Sequence, residues 1–203
     1  KILKQRNTIL KSLDSDEVKI EQLKLFTPQL IDTAEQIIKK RLEFIENLKK
    51  IAKNIHKLIT IDENLSIEYS YKPKENLSIH DDLVEIFNKS IEKELELKYT
   101  CFGPHRDDII FKINDLDCKY YASQGQQRTV ALVIKLALME VIKKEIGEYP
   151  VLLLDDVLSE LDGARQNRLL KLCTNFQTLI TCIKVPETNL EYNEIKIEKG
   201  NII

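Results

Sequence analysis

None of the five glycines in this 203-residue chain, Gly103, Gly125, Gly147, Gly163 and Gly200, precedes Lys-Ser/Thr in a G-x-x-x-x-G-K-[ST] pattern. A phosphate-cradling loop of that kind is therefore absent from these residues. The four cysteines, Cys101, Cys118, Cys173 and Cys182, contain no C-x-x-C spacing and read as free thiols. The histidines His56, His80 and His105 lie far apart and share no ligand spacing, which argues against a zinc site. No apolar run approaches the ~20 residues of a membrane span, and no secretory signal opens the chain. Internal repeats and low-complexity stretches are also missing. Charge of one sign is lacking too: 31 Lys and Arg stand against 33 Asp and Glu, a net charge of −2, which excludes a strongly basic nucleic-acid coat.

What is present describes a soluble globular protein with a heavily charged surface, 43% hydrophobic and 32% charged. Its length suits one domain, or one domain with an appendage, and a core that needs no disulfide or metal. The charge is uneven. Residues 1–60 hold 13 Lys and Arg against 8 Asp and Glu, and the remainder 18 against 25. A basic front and an acidic rear are compatible with phosphate contact through the front, or with a solvated helical surface. The chain opens at Lys1 inside a helical pattern (Ile2, Leu3, Arg6, Ile9, Leu10), so a piece of a longer protein is expected.

Hydrophobic periodicity divides the chain into a helical arm, 1–62, and a mixed lobe, 63–203. Residues 1–26 read as helical. Thr27-Pro28 reads as a helix start, a hydroxyl at the cap and proline in the first turn, of a helix reaching about Ile59. Along it Ile31, Ile38, Ile45, Ala52 and Ile59 repeat every seven residues, with Ala34, Leu48 and Ile55 three later. Ile37, Phe44, Ile51 and Leu58 widen the stripe enough to pack on more than one neighbour, residues 1–26 among them. Alternation at Leu65, Ile67, Tyr69 and Tyr71 predicts a strand, and Ser78 a helix with the face Leu83, Phe87, Ile91 and Leu95. Further on, strands are predicted at 109–111 and 118–122 around an Asn114-Asp115 turn, with Tyr120 and Tyr121 read mainly as core rather than as a base-stacking pair. A helix from about Gln126 to Ile146 is stopped by Gly147. Val151-Leu152-Leu153-Leu154 reads as a strand buried on both faces. A helix at 164–173, a strand at 178–183 and a final hairpin around Gly200 follow. Strands alternating with helices argue for a layered α/β core.

Three short segments carry chemistry. Val151 to Leu154 runs straight into Asp155-Asp156, which sets two carboxylates at a strand's C-terminal edge, where α/β sheets hold ligands. One can hold Mg²⁺ and the other orient a water; the plain alternative is a helix-capping pair. Ser123-Gln124-Gly125-Gln126-Gln127-Arg128 leads a long apolar helix and suits an anion at a helix N-terminus, or a polar cap with nothing bound. Leu158-Ser159-Glu160-Leu161-Asp162 read alone is a turn and a cap.

Taken in order, S-x-G-Q at a helix start, an apolar strand ending D-D and then L-S-E-L-D resemble the signature motif, Walker B and D-loop of ABC-type ATPase heads. Together with Gly103-Pro104-His105-Arg106-Asp107-Asp108 and the stretch I-I-K-K-R-L-E-F-I-E at 37–46, they resemble the RecF family of recombination mediators, SMC-like ATPases. The resemblance implies the C-terminal lobe of an ABC-type head bearing an all-helical arm. It implies a cytoplasmic, ATP- and Mg²⁺-dependent protein acting in recombinational repair and replication restart. The implied partners are duplex DNA and gap junctions, RecR, and RecO and RecA in the same pathway. It also implies an ATP-dependent homodimer. Carried over, Ser123 would contact the γ-phosphate of a nucleotide held by a second subunit, with Gln124, Gly125 and Gln126 shaping that contact. Asp155 would be the Mg²⁺-side acid, Asp156 would stand where most ABC proteins have the catalytic Glu, and Ser159 and Asp162 would form the D-loop.

Two departures qualify this. Asp156 is one methylene shorter than Glu, which implies slow hydrolysis. The missing phosphate loop makes this chain half of a site completed by another lobe. Lys39, Lys40, Arg41, Lys49, Lys50 and Lys53 are the candidate DNA contacts of the arm, or ordinary solvated side chains. For Gly103 to Asp108 a plain turn and a role for His105 or Arg106 remain alternatives. The competing functional reading is a non-enzymatic interaction module on a head remnant.

Overall fold

The computed structural model describes residues 1–203. Its elements run α1 (Ile2–Lys11), α2 (Asp16–Ile59), β1 (Leu65–Tyr69), α3 (Ile79–Leu97), β2 (Ile109–Ile113), β3 (Leu116–Asp117), α4 (Cys118–Tyr121), α5 (Gln124–Ile146), β4 (Leu152–Asp155), α6 (Gly163–Cys173), β5 (Thr178–Thr181), β6 (Ile197–Glu198) and β7 (Asn201–Ile202). A 3-10 turn, Val157–Glu160, separates β4 from α6. Packing groups the residues into two compact units, Lys1–Lys49 with Ser66–Lys112 and Lys50–Leu65 with Ile113–Ile203. The division passes through α2, β1 and β2. β1, β2 and β3 form a sheet in that order.

In the first unit the expected helix start at Thr27-Pro28 is not a start. One helix, α2, runs 44 residues from Asp16 with Pro28 inside it. Proline removes one donor from the ladder. Thr27 caps nothing, and its hydroxyl donates to the Leu23 carbonyl one turn back, 2.7 Å away. The seven-residue repeat is the buried seam: Ile31, Ile38 and Ile45 are buried here, with Ala34 and Leu48. The widening residues Ile37 and Phe44 stay exposed, so the packed stripe is narrower than expected. α1 is tied to α3 and the loop after it. Arg6 donates to Glu94 and Thr100, and Asn7 accepts from the Thr100 N–H and hydroxyl. α3 starts as read, with the Ser78 hydroxyl accepting the Asp81 N–H.

In the second unit α5 begins at Gln124 and ends where Gly147 takes φ +92° and donates its N–H to Lys143. Buried Val130, Leu132, Val133, Leu136, Ala137 and Met139 give it an apolar face. β4 and β5 pair in parallel, Leu152 with Thr178 through Asp155 with Thr181, and α6 is their crossover. Leu152 and Leu154 are buried, whereas Leu153 is 67% exposed and Leu179 50%. β4 is thus covered on one face only, not on both as its continuous apolar run suggests. The expected strand at 118–122 is also corrected: the Asp117 carboxylate accepts the Lys119 N–H and starts the short helix α4. Tyr120 and Tyr121 consequently face out, about 70% exposed and edge-to-face with each other, instead of entering a core. Asn114 and Asp115 both adopt positive φ in the turn between β2 and β3. β6 and β7 form the terminal hairpin.

Candidate nucleotide half-site

Ser123 caps α5 through a complete capping box. Its hydroxyl accepts the Gln126 N–H at 3.2 Å, and the Gln126 side-chain oxygen accepts the Ser123 N–H at 2.9 Å. Thr129 hydrogen-bonds back to the Gly125 carbonyl. Ser123 and Gln124 are exposed, and Gly125 and Gln126 are partly so. A side chain at Gly125 would come to 3.9 Å from the Arg165 guanidinium, ordinary contact, so glycine there keeps the loop's surface open rather than relieving a clash.

Asp155 ends β4 and Asp156 begins the turn after it. The Thr181 hydroxyl at the end of β5 donates to Asp155 Oδ1 at 2.6 Å and accepts the Asp156 N–H at 3.0 Å. One hydroxyl therefore ties the two strand ends together. Asp156 stands at φ +48°, ψ +25° with its carboxylate in no capping bond, a backbone setting that costs a non-glycine residue on the order of 1 kcal/mol. The Ser159 hydroxyl donates to the Asp156 carbonyl, and Asp162 caps α6 by accepting the Arg165 N–H. Arg128 bridges to Glu160 at 2.9 Å, so α5 and the segment after β4 are joined by an ion pair.

For a divalent cation the donor set is small. Asp155 Oδ2 is the free carboxylate oxygen beside the engaged Oδ1, and no group of three His, Cys, Asp or Glu side chains converges anywhere in the chain. That fits an ion such as Mg²⁺, which takes one or two carboxylates and completes its shell with water and phosphate. It does not fit an all-protein metal cage.

Two side chains central to this geometry carry no sequence signal. Thr181 is legible only once the parallel register of β4 and β5 is known. Glu63 lies 63 residues before its partner Gln126, whose amide nitrogen donates to it at 3.0 Å. Glu63 also sits 3.6 Å from Arg165 and 3.6 Å from the ring of buried His56. Burial pushes the His56 pKa down, partly offset by Glu63.

The basic candidates divide by environment. Lys40, Lys50 and Lys53 are exposed, Lys39 pairs with Glu35 and Lys49 with Glu46 along α2. Lys50 and Lys53, three residues apart on α2, share one helix face. Arg41 points elsewhere, donating to the Pro104 carbonyl and the Tyr69 hydroxyl. The segment from Gly103 to Asp108 is knitted into the first unit. Gly103 takes φ +118° and its carbonyl accepts the Arg106 N–H; Arg106 stacks 4.7 Å over Tyr99 and His105 contacts the Thr100 carbonyl. Asp107 accepts from Tyr69, whose pKa burial and that carboxylate push up to about 12.

A parallel strand pair ending in two carboxylates, a 3-10 turn after it and a capped long helix joined to that turn are the frame of a lobe of an ABC-type ATPase head. No protein-family model matches the chain. It is 43% identical over 188 residues to the DNA replication and repair protein RecF of Clostridium perfringens (strain SM101 / Type A), covering 92% of this chain and 51% of the relative. It is 43% identical over 215 residues to the protein of the same name from Bacillus velezensis (strain DSM 23117 / BGSC 10A6 / LMG 26770 / FZB42), covering 100% and 58%. A solved structure of the recombination mediator protein RecF-ATPrS in the RecFOR pathway superposes with TM-score 0.77 and 34% identity over 99% of this chain and 55% of that one. One of RecF-ATP gives 0.74 and 33% over 94% and 52%. The chain belongs to the RecF family. It spans about half the length of the curated relatives it matches.

Proposed function

We propose that this chain is the arm and C-terminal lobe of an ATP-dependent, DNA-binding recombination mediator, acting in the cytoplasm in recombinational repair and replication restart. The observation that carries the reading is the exposed Ser123-Gln124-Gly125 loop at the N-terminus of the 23-residue α5, joined by Arg128 and Glu160 to the segment that follows Asp155-Asp156. A helix N-terminus with a free surface suits the γ-phosphate of a nucleotide held by a second copy. In this reading Ser123, with Gln124, Gly125 and Gln126 around it, contributes to the partner's site, and Ser159 and Asp162 line the same interface. Asp155 offers one oxygen to Mg²⁺, whose charge would stabilise the phosphates. Asp156 orients the attacking water, and its short reach makes turnover slow. The phosphate cradle belongs to the half of the family's length that this chain does not span, and the bare face of β4 and β5 suits that half's sheet. Lys39, Lys40, Lys49, Lys50 and Lys53 make a salt-sensitive, sequence-independent duplex contact. Arg41 is the sixth candidate, with one guanidinium nitrogen already donating to the Pro104 carbonyl and the Tyr69 hydroxyl. RecR, RecO and RecA are the pathway partners, and gapped duplex is the DNA substrate.

The test is an equilibrium ATP titration of this chain with Mg²⁺, repeated after the remaining half of the protein is added. No binding alone and binding after addition supports a half-site; tight binding by the chain alone overturns it. In the intact protein Ser123→Arg abolishes ATP-driven dimerisation by clash and misplaced charge, and normal dimerisation of that variant removes Ser123 from the partner's site. Duplex binding indifferent to ATP would instead favour a non-enzymatic interaction module.

A further inference from the structure

We infer that Glu63 is a positioning residue of the signature loop: it holds Gln126, and through Gln126 the turn that presents Ser123. This rests on the half-site reading above and names a residue outside its motifs. The capping box is complete without Glu63, since Ser123 and Gln126 satisfy each other's backbone. A carboxylate brought 3.0 Å from the Gln126 amide nitrogen does something further. It engages the second end of that amide, whose oxygen already accepts the Ser123 N–H, and so fixes the orientation of the whole group. The same carboxylate lies 3.6 Å from Arg165 Nη2, and the Arg165 guanidinium in turn lies 3.4 Å from the Asp162 carboxylate. One side chain thus touches the residue behind the signature serine and the residue beside the D-loop aspartate.

The other Glu63 oxygen is retained at a cost. Glu63 Oε2 and His56 Nε2 are buried, have no hydrogen-bond partner, and face each other at 3.6 Å. The His56 Nδ1 side is occupied by Thr60 at 3.1 Å. Polar atoms left unpaired inside a protein destabilise it, and a sequence free to choose would place an apolar residue there. Glu63 is therefore explained by what its first oxygen does for Gln126 and Arg165. Glutamine at 63 keeps an acceptor for the Gln126 amide and loses the charge facing Arg165; alanine loses both.

The experiment uses the intact protein and reads the ATP concentration for half-maximal dimerisation, alongside amide exchange at Ser123 and nucleotide binding by the monomer. Glu63→Ala raises that concentration about tenfold, the equivalent of one hydrogen bond to a charged group. It also speeds exchange of the Ser123 N–H and leaves monomer nucleotide binding unchanged. Glu63→Gln returns the concentration to within about threefold of the parent. Gln126→Ala is at least as damaging as Glu63→Ala, since it also removes the oxygen that accepts the Ser123 N–H, and the double variant is no worse than Gln126→Ala alone, because the two act in series. Parent-like dimerisation and exchange in Glu63→Ala overturn the assignment. So do equal defects in the Ala and Gln variants, which would assign the effect to charge at Arg165, and additive defects in the double variant. Where Glu63→Ala does not fold, Glu63→Gln against Gln126→Ala carries the comparison. Ser123→Arg is run in parallel. Its normal dimerisation would sink the half-site reading itself, whereas its failure beside a parent-like Glu63→Ala sinks only the role of Glu63.

Discussion

Arg6 and Glu94 meet at 2.6 Å with both side chains fully buried. The guanidinium is also bonded to Thr100 and lies 5.3 Å over the Phe87 ring, while its Nε has no partner. Removing one member of such a pair leaves a charge without compensation, so Glu94→Ala is expected to cost about 3–5 kcal/mol, measured by chemical denaturation. An Arg6→Met, Glu94→Leu double variant is expected to recover most of that loss. His56 supplies a prediction of another kind. Burial holds its pKa below the usual 6.5, so as pH falls the unfolded chain takes up the proton first and the folded state loses ground. Stability present above pH 6.5 should decline on acidification toward the depressed folded value. Denaturation midpoints between pH 7 and 5 test this, and His56→Gln should flatten that part of the profile.

At the scale of elements, Pro28 interrupts the donor ladder of α2 with no cap to excuse it. Pro28→Ala restores an N–H and should raise thermal stability by about 1–3 kcal/mol, read as an increase in the unfolding midpoint. The same proline shows why part of the fold was illegible. Thr-Pro is a sound local start signal, but the seam through Leu23, Leu30 and Ile31 continues across it, and packing outweighs the local rule. The segment after Asp117 misled for the opposite reason: Tyr120-Tyr121 has the aromatic content of a strand, while the Asp117 side chain, bonded two residues on, bends the backbone into a helical turn. Where a cap and a stop frame one apolar stretch, as Ser123 and Gly147 frame α5, sequence and structure agree to within two residues.

For the molecule as a whole, local motifs were readable and their connections were not. Ser123, Asp155, Ser159 and Asp162 stand out in the sequence because of their immediate neighbours, whereas Thr181 and Glu63 owe their contacts to register and to residues dozens of positions away. The one-sided β4 is likewise a property of the folded chain, since its sequence is apolar throughout. Leu153 and Leu179 offer a measurement at this scale. In this chain alone, Leu153→Thr should shift stability by less than about 0.5 kcal/mol. In the intact protein, if the other half of the family's length covers that face, the same change should cost about 1–3 kcal/mol. Paired denaturation curves of the two compare the costs directly.

That bare face has a further consequence for how the chain behaves on its own. A short parallel ribbon with unprotected edges and outward leucines is a template for self-association, the beginning of precipitation. Asp155 and Asp156 follow the apolar run directly and leave their charges in solvent, so the pair acts as a gatekeeper that interrupts growth of a sticky stack. Neutralising both should therefore lower the concentration at which the isolated chain clouds, a loss of solubility separate from any loss of chemistry.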